Sequence, residues 1–181
     1  MKTNLISSII IGLILFACSK PAPESTPQDE PVAAGQSAVQ DDDSQKNIVQ
    51  TAVSSPDHKT LVAALKAASY FDALSNAGPF TVFAPTDEAF AKLPAGTVDN
   101  LVKPENQDEL RNILEYHVYV GVIRENMMKN GMSLNQVNGQ NVRIEKNGDK
   151  LSVNKANIIA TVPTSNGIIY VIDNVLLPPT E

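Results

Sequence analysis

Residues 78–94 read GPFTVFAPTDEAFAKLP, and this run decides what kind of fold the chain builds. Phe80, Thr81, Val82, Phe83 and Ala84 form a short, uncharged, apolar stretch rich in strand-favouring residues, suited to a buried strand. Pro85 ends it. Thr86 stands where a helix N-cap belongs, since its hydroxyl can accept a backbone N–H that the first helical turn leaves unpaired. Asp87 and Glu88 fall in the first turn, where the helix dipole favours acidic groups. Phe90 and Leu93 face inward from that helix, and Pro94 stops it.

The pattern on the N-terminal side is helical. Ile48, Ala52 and Val53 share one face before Pro56 breaks the segment, and Asp57 is placed to cap a second helix. In that helix Leu61, Val62, Leu65 and Ala68 recur at three- and four-residue spacing, and Tyr70, Phe71 and Leu74 extend the apolar surface. On the C-terminal side a further helix is expected from about Asn106, turning Leu110, Ile113 and Leu114 inward. Beyond Tyr116 and His117 the period becomes two. Val142 and Ile144 alternate with Arg143 and Glu145, Asn147-Gly148 supplies a hairpin turn, and Leu151 and Val153 return. Strands are expected at 158–162 and 168–172, separated by a turn at 163–167. Helices followed by a strand-rich half predict an α+β fold rather than a doubly wound parallel sheet.

The inventory of reactive groups is thin. A phosphate-cradling glycine loop, a His-Glu-x-x-His pair and a nucleophile elbow are all missing from the sequence, which predicts no enzyme, no metal and no cofactor. The one cysteine excludes an intrachain disulfide framework and a cysteine-based zinc site. His58 sits in the capping segment and reads as a surface residue. His117, at a helix-to-strand transition, fits either a ligand contact or a buried imidazole bonded through both nitrogens to backbone groups, and the second is preferred. The net charge of −6 argues against nonspecific nucleic-acid binding.

That charge is unevenly spread. Within residues 18–45, Lys20 stands against Glu24, Asp29, Glu30, Asp41, Asp42 and Asp43, whereas residues 46–181 hold 12 basic and 14 acidic side chains. Residues 1–17 read as a signal peptide: Lys2 precedes an uncharged stretch at 5–17, which as a helix spans roughly 20 Å, short of the ~30 Å hydrocarbon core. Leu15-Phe16-Ala17-Cys18 resembles the lipobox of bacterial lipoproteins. The resemblance implies that Cys18 carries a diacylglycerol and, after cleavage, an amide-linked acyl chain such as palmitate, a two-signal anchor that holds stably in a membrane. Ser19, which is not Asp, favours the outer membrane by the same resemblance. Residues 18–45, rich in proline and small polar groups, are expected to form a disordered acidic tether. Residues 46–181 then form a single domain.

Three ordered segments of that domain resemble fasciclin-like domains: 78–94, then LEYHV at 114–118, then NGIIYVIDNVLLPP at 166–179. The resemblance implies a β-sandwich or wedge with helices packed alongside, and a non-enzymatic role in cell adhesion or extracellular matrix contacts. In animal members the Tyr-His region is linked to integrin binding, which maps here to Tyr116 and His117. Some fasciclin-like proteins bind carotenoids, so the alternative expectation is a carrier for an apolar small molecule, a lipid or a pigment. Tyr170 replaces a common His and Asn174 a common Gly. Phe80, Val82, Phe83, Phe90, Ile169, Val171, Val175 and Leu176 are the expected core. The sequence therefore predicts a secreted, lipid-anchored cell-envelope protein, attached to a membrane through its N-terminus, with a protein or matrix partner.

Overall fold

Helix α1 (Ile48–Ser54) begins at Asn47, whose side chain accepts from Gln50 N–H at 2.8 Å while the Gln50 side chain accepts from Asn47 N–H at 3.0 Å. This reciprocal pair satisfies two of the N–H groups a helix start leaves open. The structure is a computed structural model that describes residues 45–179. The signal segment, Cys18 and nearly all of the tether lie outside the described residues. Helix α1 buries Ile48, Val49 and Ala52, and leaves Val53 54% exposed. Val49 rather than Val53 thus completes the buried face with Ile48 and Ala52, and the Ile48 side chain lies close to Gly167.

Helices α2 (Lys59–Ala67) and α3 (Phe71–Ser75) follow, burying Leu61, Leu65 and Leu74. The cap of α2 departs from the sequence expectation. Asp57 makes no side-chain cap; the carboxylate of Asp87 receives Thr60 N–H at 2.8 Å and Lys59 N–H at 3.3 Å. Asp87 also opens α4 (Asp87–Ala91), where Thr86 caps as expected by accepting from Ala89 N–H at 3.2 Å. One carboxylate therefore serves two helix starts, where the dipoles of both favour it. His58 is 7% exposed and not a surface residue: the same docking of α2 against the start of α4 covers its ring. A short α5 (Thr97–Leu101), unforeseen in the sequence, and a 3-10 turn at Pro104–Asn106 lead into α6 (Gln107–Tyr116), which buries Leu110 and Leu114. Among the described residues no helix is long and apolar enough to cross a membrane.

The strands are β1 (Phe80–Pro85), β2 (Val118–Val120), β3 (Ser133–Asn135), β4 (Asn141–Asn147), β5 (Lys150–Val153), β6 (Ala156–Thr164) and β7 (Gly167–Ile172). They form one sheet in the order β2-β1-β7-β6-β5-β4-β3, in which β1 and β7 are parallel and the other neighbours antiparallel. Just past β3, Val137 N–H donates to the Val118 carbonyl of β2 at 2.9 Å, so the sheet nearly closes on itself. Its two halves are the layers of the expected wedge.

Strand alternation then makes two cores. Val82 and Ala84 of β1, with Ile169 and Val171 of β7, face the helices and meet Leu61, Leu65 and Leu114. Phe83, Ile168, Tyr170 and Ile172 face the other way and meet Val142, Ile144 and Val153 across the folded sheet. Of the expected core, Val82, Phe83, Ile169, Val171 and Leu176 are buried, and Phe80, Phe90 and Val175 are half-buried. Each fully buried large side chain contributes about 1.5–3 kcal/mol.

Two glycines and an asparagine fix where the parallel pair begins. A Cβ on Gly78 would stand 2.0 Å from the Asn166 carbonyl oxygen, and one on Gly167 would stand 2.1 Å from that of Phe80. Only glycine lets these backbones approach. The Asn166 side chain accepts from Ile48 N–H at 2.9 Å and donates to the carbonyls of Leu74 and Asn76, both at 2.8 Å. It ties α1, α3 and the β6–β7 turn together at this point.

Candidate interaction site

Tyr116 and His117 are adjacent in sequence and part ways in space. Helix α6 ends at Tyr116, and the residues on either side of this end point to different cores. Tyr116 enters the core inside the folded sheet, where its hydroxyl donates to the Asn141 carbonyl at 3.0 Å and accepts from Asn154 Nδ2 at 2.8 Å. Asn154 can reach it because Asn154 and Lys155 both adopt positive φ, the geometry of a tight two-residue hairpin loop between β5 and β6.

His117 is 3% exposed and lies on the helical side. Its Nδ1 sits 2.8 Å from the Ile113 carbonyl, and its Nε2 sits 3.0 Å from Leu176 N–H. Nδ1 therefore carries the proton, and Nε2 accepts. Burial pushes the imidazole pKa down to about 4, against a smaller opposing effect of the Ile113 carbonyl. The ring pins the end of α6 to the segment that follows β7.

Above His117 runs an apolar groove. Its walls include Leu61 of α2, Phe90 of α4, Leu101 of α5, Ile113 of α6 and Leu177 beyond β7. Its free volume is about 20 Å³, against about 300–1,000 Å³ for pockets that enclose small-molecule ligands. At its mouth Leu177 is 53% exposed. The sequence reading missed Leu177. Its signal is the run Val175-Leu176-Leu177, three successive apolar residues of which the extended chain can bury only alternate ones: Leu176 goes inward and Leu177 stays out.

Three further polar groups with shifted titration lie outside the lining of this groove. Burial lowers the His58 pKa, with Asp57 and Asp87 acting in the opposite sense, and its Nδ1 lies 2.7 Å from Ser55 Oγ. Burial alone would raise Asp87, but hydrogen bonds from Thr60 and Lys59 outweigh it and hold the carboxyl below its usual value. Tyr170, at the position where a His is common, is fully buried, donates to the Ile123 carbonyl at 2.7 Å, and is pushed up to about 12 by burial and the Glu125 charge. None of these polar groups converges on a shared reacting centre, and Cys18 lies outside the described residues.

A profile of the Fasciclin domain matches residues 56–178. The chain is 49% identical over 138 residues to Protein sll1483 of Synechocystis sp., covering 76% of each chain. It is 38% identical over 143 residues to Immunogenic protein MPB70 of Mycobacterium bovis, covering 75% of this chain and 71% of that one. Identity to transforming growth factor-beta-induced protein ig-h3 of Sus scrofa is 35% over 122 residues, which is 67% of this chain and 18% of that longer protein. Among solved structures, a domain pair from the insect cell adhesion molecule Fasciclin I superposes with a TM-score of 0.66 at 22% identity, covering 74% of this chain and 51% of that chain. The chain spans about half the length of that solved pair, and the likeness is one of fold. By the extent of the profile match and the identity to these relatives, this chain belongs to the Fasciclin domain family.

Proposed function

We propose that this is a lipid-anchored cell-envelope protein whose single fasciclin domain mediates adhesion or envelope protein contacts by noncovalent binding. The observation that carries the reading is the apolar groove with Leu177 at its mouth: an exposed apolar surface backed by a closely packed core, with little enclosed space. Such a surface suits a side chain or helix of a protein partner better than an engulfed ligand. Membership of a family that includes a domain pair from a cell adhesion molecule supports the same direction. In this reading Cys18 carries the lipid, residues 18–45 form the tether, the outer membrane is the site of attachment, and Tyr116 and His117 act by shaping the surface around them.

The test is genetic. A strain lacking the protein, and one carrying Cys18→Ser, are expected to lose surface attachment and biofilm, with the variant protein leaving the membrane fraction. Normal attachment in both strains would overturn the adhesion role, and a membrane-bound Cys18→Ser protein would overturn the anchor.

A second reading draws on the lining of the groove, which is apolar apart from the His117 ring. A lipid or pigment carrier would hold its cargo there after the groove widens. Organic extraction of the native protein followed by mass spectrometry should then yield one apolar compound in near-stoichiometric amount. An empty extract from cells rich in such compounds removes this reading.

A further inference from the structure

Positive charge in the folded part gathers in one stretch. Residues 129–157 carry Lys129, Arg143, Lys146, Lys150 and Lys155 against Glu145 and Asp149, whereas the rest of 46–181 carries seven basic and twelve acidic side chains. Strands β4 and β5 bring three of these cations to one place. Glu145 pairs with Ser152 and Ser152 with Asn157, so these three side chains share one side of the sheet. By alternation Arg143 and Lys150 join them, while Val142, Ile144, Leu151, Val153 and Ala156 turn into the inner core. Lys146 has the opposite alternation and reaches the same place from near the end of β4. Together they line an open concavity of about 450 Å³.

Arg143, Lys146 and Lys150 are exposed, and none has an ion-pair partner among the described residues. Their mutual repulsion is a small cost that an anionic ligand removes. The groups around them are held in place. Asn130 Oδ1 accepts from Lys146 N–H at 3.0 Å, which leaves its Nδ2 to donate to a ligand. Asn157 Nδ2 donates to Asp173 Oδ2 at 2.7 Å, which leaves its Oδ1 to accept. Arg143 N–H is fixed by Asn154 Oδ1 at 2.8 Å. Groups fixed in this way lose little freedom when a ligand binds.

The lining discriminates among anions. It holds no apolar or aromatic side chain, so bases have nothing to stack on, and a bilayer or a protein finds no apolar anchor. Glu145 lies among the cations and opposes a dense polyanion such as DNA, with one charge per roughly 1.7 Å of axis, yet it can accept from a hydroxyl. Lys150 pairs with Asn147, four residues along β4 from Arg143, so the backbones carrying these two cations stand about 13 Å apart. A chain with carboxylates spaced among hydroxyls meets both ends, where one small ion meets one.

We infer that this face of β4 and β5 binds an acidic polysaccharide, a chain of uronic acid units. Its carboxylates pair with Arg143, Lys146 and Lys150, the Arg143 guanidinium through two parallel hydrogen bonds. Its hydroxyls fill the intervals and meet Ser152, Asn157 and Glu145. The face shares no residue with the groove at Leu177 and does not depend on what that groove binds. Each contact is weak by itself in water, so binding rests on several at once. It falls with salt, as the screening length shrinks from about 8 Å at 0.15 M to about 3 Å at 1 M.

Titration of the full chain, held in nonionic detergent, with sodium polygalacturonate tests this by NMR. At low salt the backbone amide signals of Arg143, Glu145, Ser152 and Asn157 should shift or broaden while that of Leu177 stays, and the effect should vanish in about 1 M NaCl. Neutral dextran should move none of them. Arg143→Gln, Lys146→Gln and Lys150→Gln together should weaken binding roughly tenfold or more, whereas Lys59→Gln, Lys103→Gln and Arg124→Gln together should leave it unchanged. All six side chains are exposed, and the wild-type signals locate the site without any variant. Polygalacturonate that leaves these signals unmoved, or that binds the Arg143, Lys146 and Lys150 variant as well as the wild type, overturns the inference. Equal or tighter binding of polyglutamate, of DNA or of detergent micelles doped with phosphatidylglycerol assigns the face to a protein, a nucleic acid or a membrane and overturns it too.

Discussion

His117 shows at the scale of one residue how a signature position is used. With Nδ1–H directed at the Ile113 carbonyl, Nε2 must stay unprotonated to accept Leu176 N–H. A second proton would set two N–H groups against each other in a buried place. The folded pKa of about 4 lies below the ordinary 6.5, so between these values the unfolded chain holds a proton that the folded chain does not. Stability is therefore full above about pH 6.5 and falls as pH drops toward 4, by about 3 kcal/mol from this group; His58, also lowered, acts in the same direction. Urea unfolding at pH 7.5 and 4.5 should show this loss in the wild type and a flatter profile in His117→Gln, which starts less stable. A wild-type stability that does not change between those pH values would contradict the assignment.

Asp87 carries the other residue-scale prediction. Asp87→Ala should cost about 1–2 kcal/mol in thermal or urea unfolding, and Asp57→Ala under about 0.5. Equal costs would mean that Asp57 is the cap after all. The Thr86 cap was legible in sequence because its partner is three residues away. The second duty of Asp87 was not, because it depends on α2 docking against α4, which local spacing does not encode. His58 was misjudged for the same reason.

Among elements, the parallel β1–β7 pair is where the sequence motifs become geometry. Gly78-Pro79 and Asn166-Gly167 open the first and third motifs because the two backbones approach closely there. Gly167→Ala should destabilise by about 3 kcal/mol or more, since the added carbon meets backbone that cannot yield. Gly139→Ala, at positive φ but with nothing within 4 Å, should cost only about 1–2 kcal/mol. Melting temperatures of the two variants rank these effects, and a smaller loss at Gly167 would refute the close-approach account. The β4–β5 hairpin was legible from period-two alternation around Asn147-Gly148. The pairing of β1 with β7, and the link from Val137 to Val118 that nearly closes the sheet, join residues far apart in sequence and leave no local period to read.

For the whole molecule, the alternation of β1 and β7 between two cores explains why the strongest motifs report folding. Phe83 and Tyr170 serve one core, Val82 and Ile169 the other, and Tyr116 and His117 divide between them. What remains for the proposed partner is surface, and the groove with Leu177 at its mouth is the apolar part of it. Beyond the Val175-Leu176-Leu177 run the groove has no local signal, because its walls come from four helices and the segment beyond β7, and their apolar residues read individually as core. Leu177→Asp places a charge at the mouth of the groove while leaving both cores intact, so its melting temperature should stay within a few degrees of the wild type. The most direct measurement is surface attachment of a deletion strain complemented with wild type or with Leu177→Asp at matched envelope levels. Wild type should restore attachment and Leu177→Asp should leave it several-fold weaker. Full attachment with a folded, membrane-bound Leu177→Asp protein would contradict the groove as the binding surface.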